Sequence, residues 1–252
     1  MNVVIISKGQ DPSPIIRHLD VASNVTVSFD GLFHHSLPGI YCTSLPAHPE
    51  GFYAGANRDN GLMASYKKFG RTGHVLFLDG DRTPKGFNSK DIIECMSRLS
   101  VDALLFTCEC GDTRSIATTS EYEGPVDTGS LLSEFYSCGF VLTDNAIEKV
   151  RKVNGGRLFH PIFDGTWGEE DKYLGIQLDA LGLRTGFTHA VRLGGDRPGN
   201  DQDHPEFVQS LQKRVDLMAK NGYAFRHWNA HTYMDKHGDF KYSIAPIATP
   251  RT

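Results

Sequence analysis

Short apolar runs rich in β-branched residues mark the first third of the chain and are separated by turn residues. Two of them, residues 3–6 and 25–29, predict β-strands, and the segment 15–19 between them has the spacing of a helix. Strand, helix and strand in this order predict a βαβ unit, from which parallel sheets are built. A third run, residues 73–78, is almost continuously apolar, which is typical of a strand buried on both faces.

Helical spacing and apolar runs alternate through the rest of the chain. Helices are expected at residues 88–99, 145–153, 172–181 and 205–221, strands at residues 101–107 and 140–143, and a polar loop at residues 111–129. Ser89 and Asp144 are the expected N-caps of the first two helices, and Gly155-Gly156 ends the second. Residues 38–60 lack periodicity and predict a functional loop or the approach to a helix at residues 61–64. The alternation predicts an α/β fold with a mostly parallel central sheet and helices on both faces.

Composition and charge narrow the class of protein. At 252 residues the chain is long enough for one sizeable α/β domain, and its formal net charge of −4 argues against binding nucleic acid by charge alone. The first apolar run is too short for a signal peptide or a membrane span, and the five cysteines are odd in number and lack CxxC spacing. These features predict a cytoplasmic protein with no membrane span, and nothing in the sequence indicates a protein partner.

Two carboxylates directly follow the buried strand at residues 73–78. Asp79 and Asp81 lie on either side of Gly80, and carboxylates so spaced in a tight turn can face one hard cation while the glycine leaves room for a diphosphate. Asp-Gly-Asp is also a common turn sequence. The preceding strand favours a metal and phosphate site, as does Arg82, whose guanidinium can contact a phosphate.

A second acidic cluster precedes the predicted helix at residues 172–181. Residues 169–171 are all acidic, and Trp167 and Gly168 lie just before them. Acids at a helix N-terminus interact favourably with the helix dipole, which accounts for at least one of the three. A transferase that inverts a sugar centre, however, needs a carboxylate to take the proton from the acceptor hydroxyl. The cluster is therefore a candidate general base beside an aromatic sugar-binding surface.

In this order, the two motifs resemble those of GT-A glycosyltransferases of the large family 2 type. In that family the first acid pair is the DxD metal motif, and a Trp-Gly-Gly-Glu-Asp-like segment opens the acceptor helix. The resemblance covers roughly residues 1–192 and implies a GT-A, Rossmann-like nucleotide-diphospho-sugar transferase core. Residues 193–252 are expected to complete the acceptor side of the same domain.

The resemblance implies roles for individual residues. Asp79 and Asp81 would hold Mn²⁺ or Mg²⁺, with His189 as a third ligand. Asp171 would be the catalytic base and Glu170 would bind the acceptor, although the order of the acids also allows Glu170 to be the base. The implied donor-binding residues are Asp30, Arg58, Asp79, Gly80 and Arg82, and the implied acceptor-binding residues are Trp167, Gly168 and Glu169, the last replacing the family's second glycine.

The expected activity is hexosyl transfer (EC 2.4) from a nucleoside-diphosphate sugar, with a UDP-sugar favoured on family grounds, to an acceptor hydroxyl. The metal would neutralise the departing diphosphate, and both inversion and retention of configuration are open. Residues 78–84 also resemble soluble transferases of phages and kinetoplastids that glucosylate hydroxymethylated pyrimidines in DNA, so a DNA acceptor is a minority hypothesis. Residues 226–241 mix aromatic and basic side chains that suit DNA, but a packed C-terminal lobe is the favoured interpretation.

Two other classes of protein stay open. A nucleotidyltransferase also uses paired acids on a cation, but it normally has a Gly-rich basic loop after its first strand, and residues 7–10 match such a loop poorly. A non-catalytic sugar-nucleotide-binding module is the second alternative, and the presence of both acid motifs argues against it.

Overall fold

A nine-stranded sheet forms the centre of the molecule. The computed structural model describes residues 1–20, 23–31, 37–46, 53–108, 123–126, 138–165 and 170–194, the backbone of 231–234 and 241–244, and residues 213 and 216. The sheet contains β1 (Asn2–Ser7), β2 (Asn24–Asp30), β3 (Tyr41–Leu45), β4 (His74–Asp79), β5 (Thr83–Lys85), β6 (Ala103–Cys108), β7 (Gly124–Val126), β8 (Gly139–Thr143) and β9 (Thr185–Gly194). A separate antiparallel pair is formed by β10 (His231–Met234) and β11 (Lys241–Ile244).

The strand order is β3-β2-β1-β4-β8-β6-β9-β5, with β7 also paired to β9. β1 runs parallel to β2 and β4, and β3 runs parallel to β2. β8 lies antiparallel between β4 and β6, whereas β6 and β9 are parallel and β5 and β7 are antiparallel to β9. The α/β class is therefore confirmed, with one half of the sheet parallel and the other half mixed.

Helices cover both faces of the sheet, as predicted. In the described part of the chain the α-helices are α1 (Ser13–Ile16), α2 (Ala54–Phe69), α3 (Ser89–Leu99), α4 (Asp144–Val153) and α5 (Glu170–Ala180), with a 3₁₀ turn at Pro161–Phe163. One apolar core joins the sheet to α2, α4 and α5, and a second core joins the opposite face to α1 and α3. Among these helices, none is long and apolar enough to cross a membrane.

The helix caps lie one residue earlier than predicted. Asn88 caps α3, because its side chain accepts hydrogen bonds from the backbone N–H groups of Lys90 and Asp91 and its own backbone is extended. Thr143 caps α4 in the same way by accepting from Ala146 N at 3.2 Å. The predictions of Ser89 and Asp144 as caps were thus wrong: each is the first helical residue. Gly155 and Gly156 follow α4 with positive φ angles of 64° and 98°, as the predicted helix end requires.

Several elements differ from the sequence-based expectations. Residues 38–60, predicted as a loop, contain β3 and the start of α2 at Ala54, and β7 lies within the predicted loop at residues 111–129. The predicted helix at residues 205–221 lies outside the described residues except for two positions, and the boundary between residues 192 and 193 stays a prediction.

α2 approaches the sheet closely at one glycine. A Cβ atom on Gly61 would lie 2.6 Å from Val4 Cγ1 on β1 and 3.0 Å from Ser28 Cβ on β2. A side chain at this position would therefore push the helix away from both strands. The close contact brings the polar residues 57–60 of α2 to the carboxyl ends of β1, β2 and β4. Open α/β sheets bind their ligands at this end of the strands.

Candidate functional site

The predicted turn after β4 is present. Asp79 is the last residue of β4, and Arg82 N donates a hydrogen bond to Asp79 O at 3.0 Å, which closes a tight turn. A Cβ on Gly80 would lie 2.6 Å from Ile6 O at the end of β1, so the neighbouring backbone already requires glycine here. Asp81 is half-buried, and its Oδ1 lies 3.5 Å from Nε of Arg82.

A buried arginine joins the two predicted acid motifs. Arg58 on α2 donates from Nη2 to Asp79 Oδ1 at 2.6 Å and from Nη1 to Glu170 Oε1 at 2.8 Å. Its guanidinium lies 5.4 Å from the centre of the Phe159 ring, and the residue is only 2% exposed. The end of β4 and the start of α5 are thereby held together through one side chain.

Charge and burial perturb all three groups of this ion-pair cluster. Burial and the negative charge of Asp171 raise the pKa of Glu170 to about 7, although Arg58 opposes the shift. Burial also raises the pKa of Asp79, against the attraction of Arg58. Burial disfavours the charged form of Arg58, but its acidic neighbours outweigh that effect and raise its pKa further above the usual range. The cluster therefore contains a carboxyl group that titrates near neutral pH.

The position of Arg58 bears on its predicted role in donor binding. Both of its Nη atoms already donate to carboxylates, so a donor phosphate could accept only from the N–H groups that these two bonds leave over. Its contact with a donor stays a prediction. What the structure adds is its link between two acid motifs far apart in the sequence.

The residues around Arg58 on α2 connect it to the neighbouring strands. Ser28 on β2 donates from Oγ to Asn57 Oδ1 at 2.5 Å, and Asn57 Nδ2 donates back to the Ser28 carbonyl at 3.1 Å. Asn60 Nδ2 donates to Ser28 Oγ at 3.0 Å and to Thr43 Oγ1 at 3.3 Å. Asp30, a predicted donor-binding residue, ends β2 at the same edge of the sheet and is half-exposed. Its role in binding the donor stays a prediction.

A second ion-pair network begins at Asp59, the next residue of α2. Asp59 accepts from Arg157 Nε at 3.1 Å, and Arg157 also donates to both carboxylate oxygens of Asp164, at 2.5 and 3.0 Å. Sequence reasoning assigned no role to Asp59 or Arg157. The sequence does contain one signal for a site here. Residues 57–60, directly before Gly61, are all polar, and a helix that packs through an apolar face does not need such a run.

The predicted acceptor side is described in part. Glu170 and Asp171 are both buried in the first turn of α5, and Asp171 Oδ1 accepts from Lys172 N at 2.7 Å. Trp167, Gly168 and Glu169 lie outside the described residues, so their contacts with an acceptor stay predictions.

The predicted metal ligands are not all neighbours. His189 on β9 lies near Glu123, whose pKa is lowered by hydrogen bonds from Arg98 and a neighbouring threonine and additionally by the charge of His189. Within the described ranges no group of three His, Cys, Asp or Glu side chains could hold a metal, so His189 is not grouped there with Asp79 and Asp81. Two carboxylates still suit Mg²⁺ or Mn²⁺, because such sites usually take their other ligands from substrate phosphates and water.

Comparison with known proteins identifies the fold. No family model matches the chain, and no curated protein matches its sequence. Residues 1–349 of S. aureus TarS in complex with UDP-GlcNAc match it with a TM-score of 0.61 at 14% identity, covering 90% of this chain and 67% of that one. The same TarS segment in complex with UDP gives a TM-score of 0.54 at 15% identity and covers 85% of this chain and 65% of that one.

A smaller protein has a weaker structural match. A197 from STIV matches with a TM-score of 0.50 at 15% identity, covering 78% of this chain and 85% of that one. The chain thus spans about two thirds of the TarS segment that it matches. The large mixed sheet with helices on both faces is shared with these solved structures, which confirms the predicted α/β fold of the GT-A type.

Proposed function

We propose that this chain is a metal-dependent glycosyltransferase that moves a sugar from a nucleoside-diphosphate donor, a UDP-sugar, to an acceptor hydroxyl. One observation carries the proposal: Arg58 joins the strand-end acid Asp79 to the helix-start acid Glu170 in a buried cluster. The reaction needs one acid motif near the diphosphate and another near the acceptor. The cluster supports the proposal because it joins two acid motifs at the carboxyl ends of the strands, where open α/β sheets bind their ligands.

Asp79 and Asp81 would hold Mn²⁺ or Mg²⁺ in this proposal. Arg58 occupies Oδ1 of Asp79, but a carboxylate has about four lone-pair sites and so retains capacity for a cation. The bound metal would supply charge neutralisation for the diphosphate as it leaves.

Asp171 is the proposed base. The Glu170 carboxylate is already bound to the Arg58 guanidinium through Oε1, which suits a role in holding the two acid motifs together. Asp171 follows Glu170 in the same helical turn, and in the family that the sequence resembles the last acid of the segment is the base. Its carboxylate would take the proton from the acceptor hydroxyl, while the oxygen of that hydroxyl bonds to the anomeric carbon and the bond to the diphosphate breaks.

UDP-GlcNAc is the first donor to test. The matching TarS segment was solved with UDP-GlcNAc and with UDP, and the matched region covers most of this chain. A hydroxymethylated DNA base stays the minority proposal for the acceptor, because it was prompted by the single segment at residues 78–84. The aromatic and basic side chains at residues 226–241 lie outside the part of the chain whose side chains are described. The cytoplasmic location is likewise still a proposal.

The deciding experiment is a nucleoside diphosphate release assay with UDP-, GDP- and ADP-sugars, run with Mn²⁺ or with a chelator. We expect UDP release from one UDP-sugar that stops on chelation. Asp81→Asn should lower the rate at least about a hundredfold, because the lost metal contact stabilises charge in the transition state. Asp91→Asn is the matched control, since Asp91 is exposed on α3 and its substitution should leave the rate unchanged.

Two results would contradict the proposal. Release of pyrophosphate together with nucleotide transfer would identify a nucleotidyltransferase instead. Binding of a UDP-sugar without any turnover, in the presence of Mn²⁺ and of hydroxymethylated duplex DNA or small sugar acceptors, would favour a non-catalytic module.

A further inference from the structure

We propose that Arg157 is a positioning residue for the carboxylates at the start of α5, acting through the connecting segment, residues 157–164. The inference rests on the proposed function, because it concerns the acids assigned to the acceptor side. Arg58 and Asp59, consecutive residues of α2, are each connected to α5, but through different contacts. Arg58 holds Glu170 directly, whereas Asp59 holds the connecting segment, which packs against α5.

Asp59 anchors the beginning of the connecting segment. Its Oδ1 accepts from Leu158 N at 2.7 Å, and its Oδ2 accepts from Phe159 N at 3.3 Å and from Arg157 Nε at 3.1 Å. The residue is 8% exposed. A buried carboxylate that loses one of its hydrogen-bond donors is left partly unsatisfied, which costs free energy. These three hydrogen bonds therefore hold the beginning of the segment against Asp59.

Arg157 connects Asp59, which holds the beginning of the segment, to Asp164 at its end. The guanidinium makes two parallel hydrogen bonds to the Asp164 carboxylate while its Nε donates to Asp59. This use of three nitrogen atoms suits arginine alone, because the lysine ammonium is a compact point charge without the planar fork.

The middle of the connecting segment packs on α5 beside the acids. The His160 ring lies 5.7 Å from the Tyr173 ring in an edge-on arrangement, and the Phe163 ring lies 5.6 Å from it. Tyr173 is 1% exposed and lies one helical turn after Glu170, on the same face of α5. Because close-packed side chains transmit small displacements, a shift of the segment would move the first turn of α5 and with it Asp171.

The donor side has separate supports. Asp79 is fixed chiefly by β4 and by its turn, and neither of these contacts involves the connecting segment. Arg58, its third partner, meets that segment at the Phe159 ring but is also held by its two carboxylates. Loss of Arg157 should therefore lower the rate of the chemical step while donor affinity is kept.

The experiment uses UDP-GlcNAc with Mn²⁺ and water as the acceptor, so that no unidentified acceptor is needed. Arg157→Met should lower the rate of UDP-GlcNAc hydrolysis about tenfold to a hundredfold, the usual effect of misplacing a catalytic group by about 1 Å. The dissociation constant of UDP, measured by calorimetry, should change less than about twofold by the same argument. Arg157→Lys should restore only part of the rate. Arg71→Met is the control, because Arg71 forms an exposed ion pair with Glu148.

A double variant tests the route. If Arg157 acts through Asp164, then Arg157→Met combined with Asp164→Asn should be no slower than the slower single variant. Multiplied losses would overturn the inference. A loss of UDP affinity in parallel with the rate would overturn it too, since that is the result of general destabilisation.

Hydrogen exchange keeps the inference separate from the proposed function. If the wild type neither binds nor hydrolyses any UDP-sugar of the donor panel, the proposed function fails. Arg157→Met should still speed exchange of the Phe159 amide and of the α5 amides around Tyr173 more than it speeds exchange in α3. Unchanged exchange in α5 would overturn the positioning role whatever the activity.

Discussion

At the scale of single residues, burial makes Arg58 and Glu170 depend on each other. Each would be costly to bury alone, and each offsets part of the other's desolvation. Burial nevertheless raises the pKa of Glu170 to about 7, and the negative charge of Asp171 beside it adds to the shift. The charge of this carboxyl group therefore changes within the physiological pH range, unlike that of an ordinary glutamate.

The shift makes folding stability depend on pH in a defined direction. Because the pKa of Glu170 is raised on folding from 4.5 to about 7, the folded state retains a proton that the unfolded chain has lost between these values. The stabilisation is complete below pH 4.5 and disappears as the pH rises through 7. Relative to Glu170→Gln, the wild type should thus lose roughly 1 to 3 kcal/mol of unfolding free energy over this interval.

Urea unfolding at a series of pH values measures this difference. Glu94→Gln is the matched control, because Glu94 is exposed on α3 and should leave the pH dependence of the wild type intact. Parallel stability curves for the wild type and Glu170→Gln would show that Glu170 ionises at an ordinary pH.

At the scale of elements, the distance between α2 and the sheet determines where Arg58 and its neighbours lie. Gly61→Ala should destabilise the fold by about 1 to 3 kcal/mol, since the added Cβ overlaps Val4 Cγ1 and overpacking outweighs the better helix propensity of alanine. Unfolding free energies in urea measure the cost. Val4→Ala provides the space that the new methyl group needs, so the double variant should lose less than the sum of the single losses. Additive losses would mean that Val4 is not the residue that α2 meets.

The elements also show what sequence could and could not predict. β1, β4 and β6 contain nearly continuous apolar runs, because both of their faces are covered. β2 alternates valine and phenylalanine with the buried Thr26 and Ser28, and all four strands were predicted to within about two residues. β3 was missed because it lies at the sheet edge and is only partly buried. The start of α2 was missed because residues 57–60 are polar and meet polar partners on β2, β4 and the connecting segment. No apolar period marks such a helix.

The residues of the candidate site also divide into those that sequence could predict and those that needed the tertiary fold. The acids at residues 79, 81, 170 and 171 could be singled out because they follow a buried strand or open a helix. The ion pairs of Arg58 and Arg157 could not, since each joins residues that only the tertiary fold brings together. The family resemblance also named Arg58, but as a donor-binding residue, whereas its link between the two acid motifs and the role of Arg157 required the structure.

At the scale of the whole molecule, the proposed donor site lies where several strands end, so ligand binding should stabilise the entire domain. UDP with Mn²⁺, at about 100 times its dissociation constant, should add about 2.7 kcal/mol to the unfolding free energy, because the unfolded chain has no such site. For a domain of this size that corresponds to a rise in Tm of roughly 5 to 10 °C in a thermal scan.

The dependence of this rise in Tm on Mn²⁺ tests the proposed metal site. If Asp79 and Asp81 hold the cation between the protein and the diphosphate, then UDP without Mn²⁺ should give a much smaller shift, and Asp81→Asn should remove the difference between the two conditions. Asp91→Asn should keep it, because Asp91 lies exposed on α3. An equal shift with and without Mn²⁺ in the wild type would place the diphosphate on the protein's own donors, and Arg82, directly after the acid pair, would then be the side chain to substitute next.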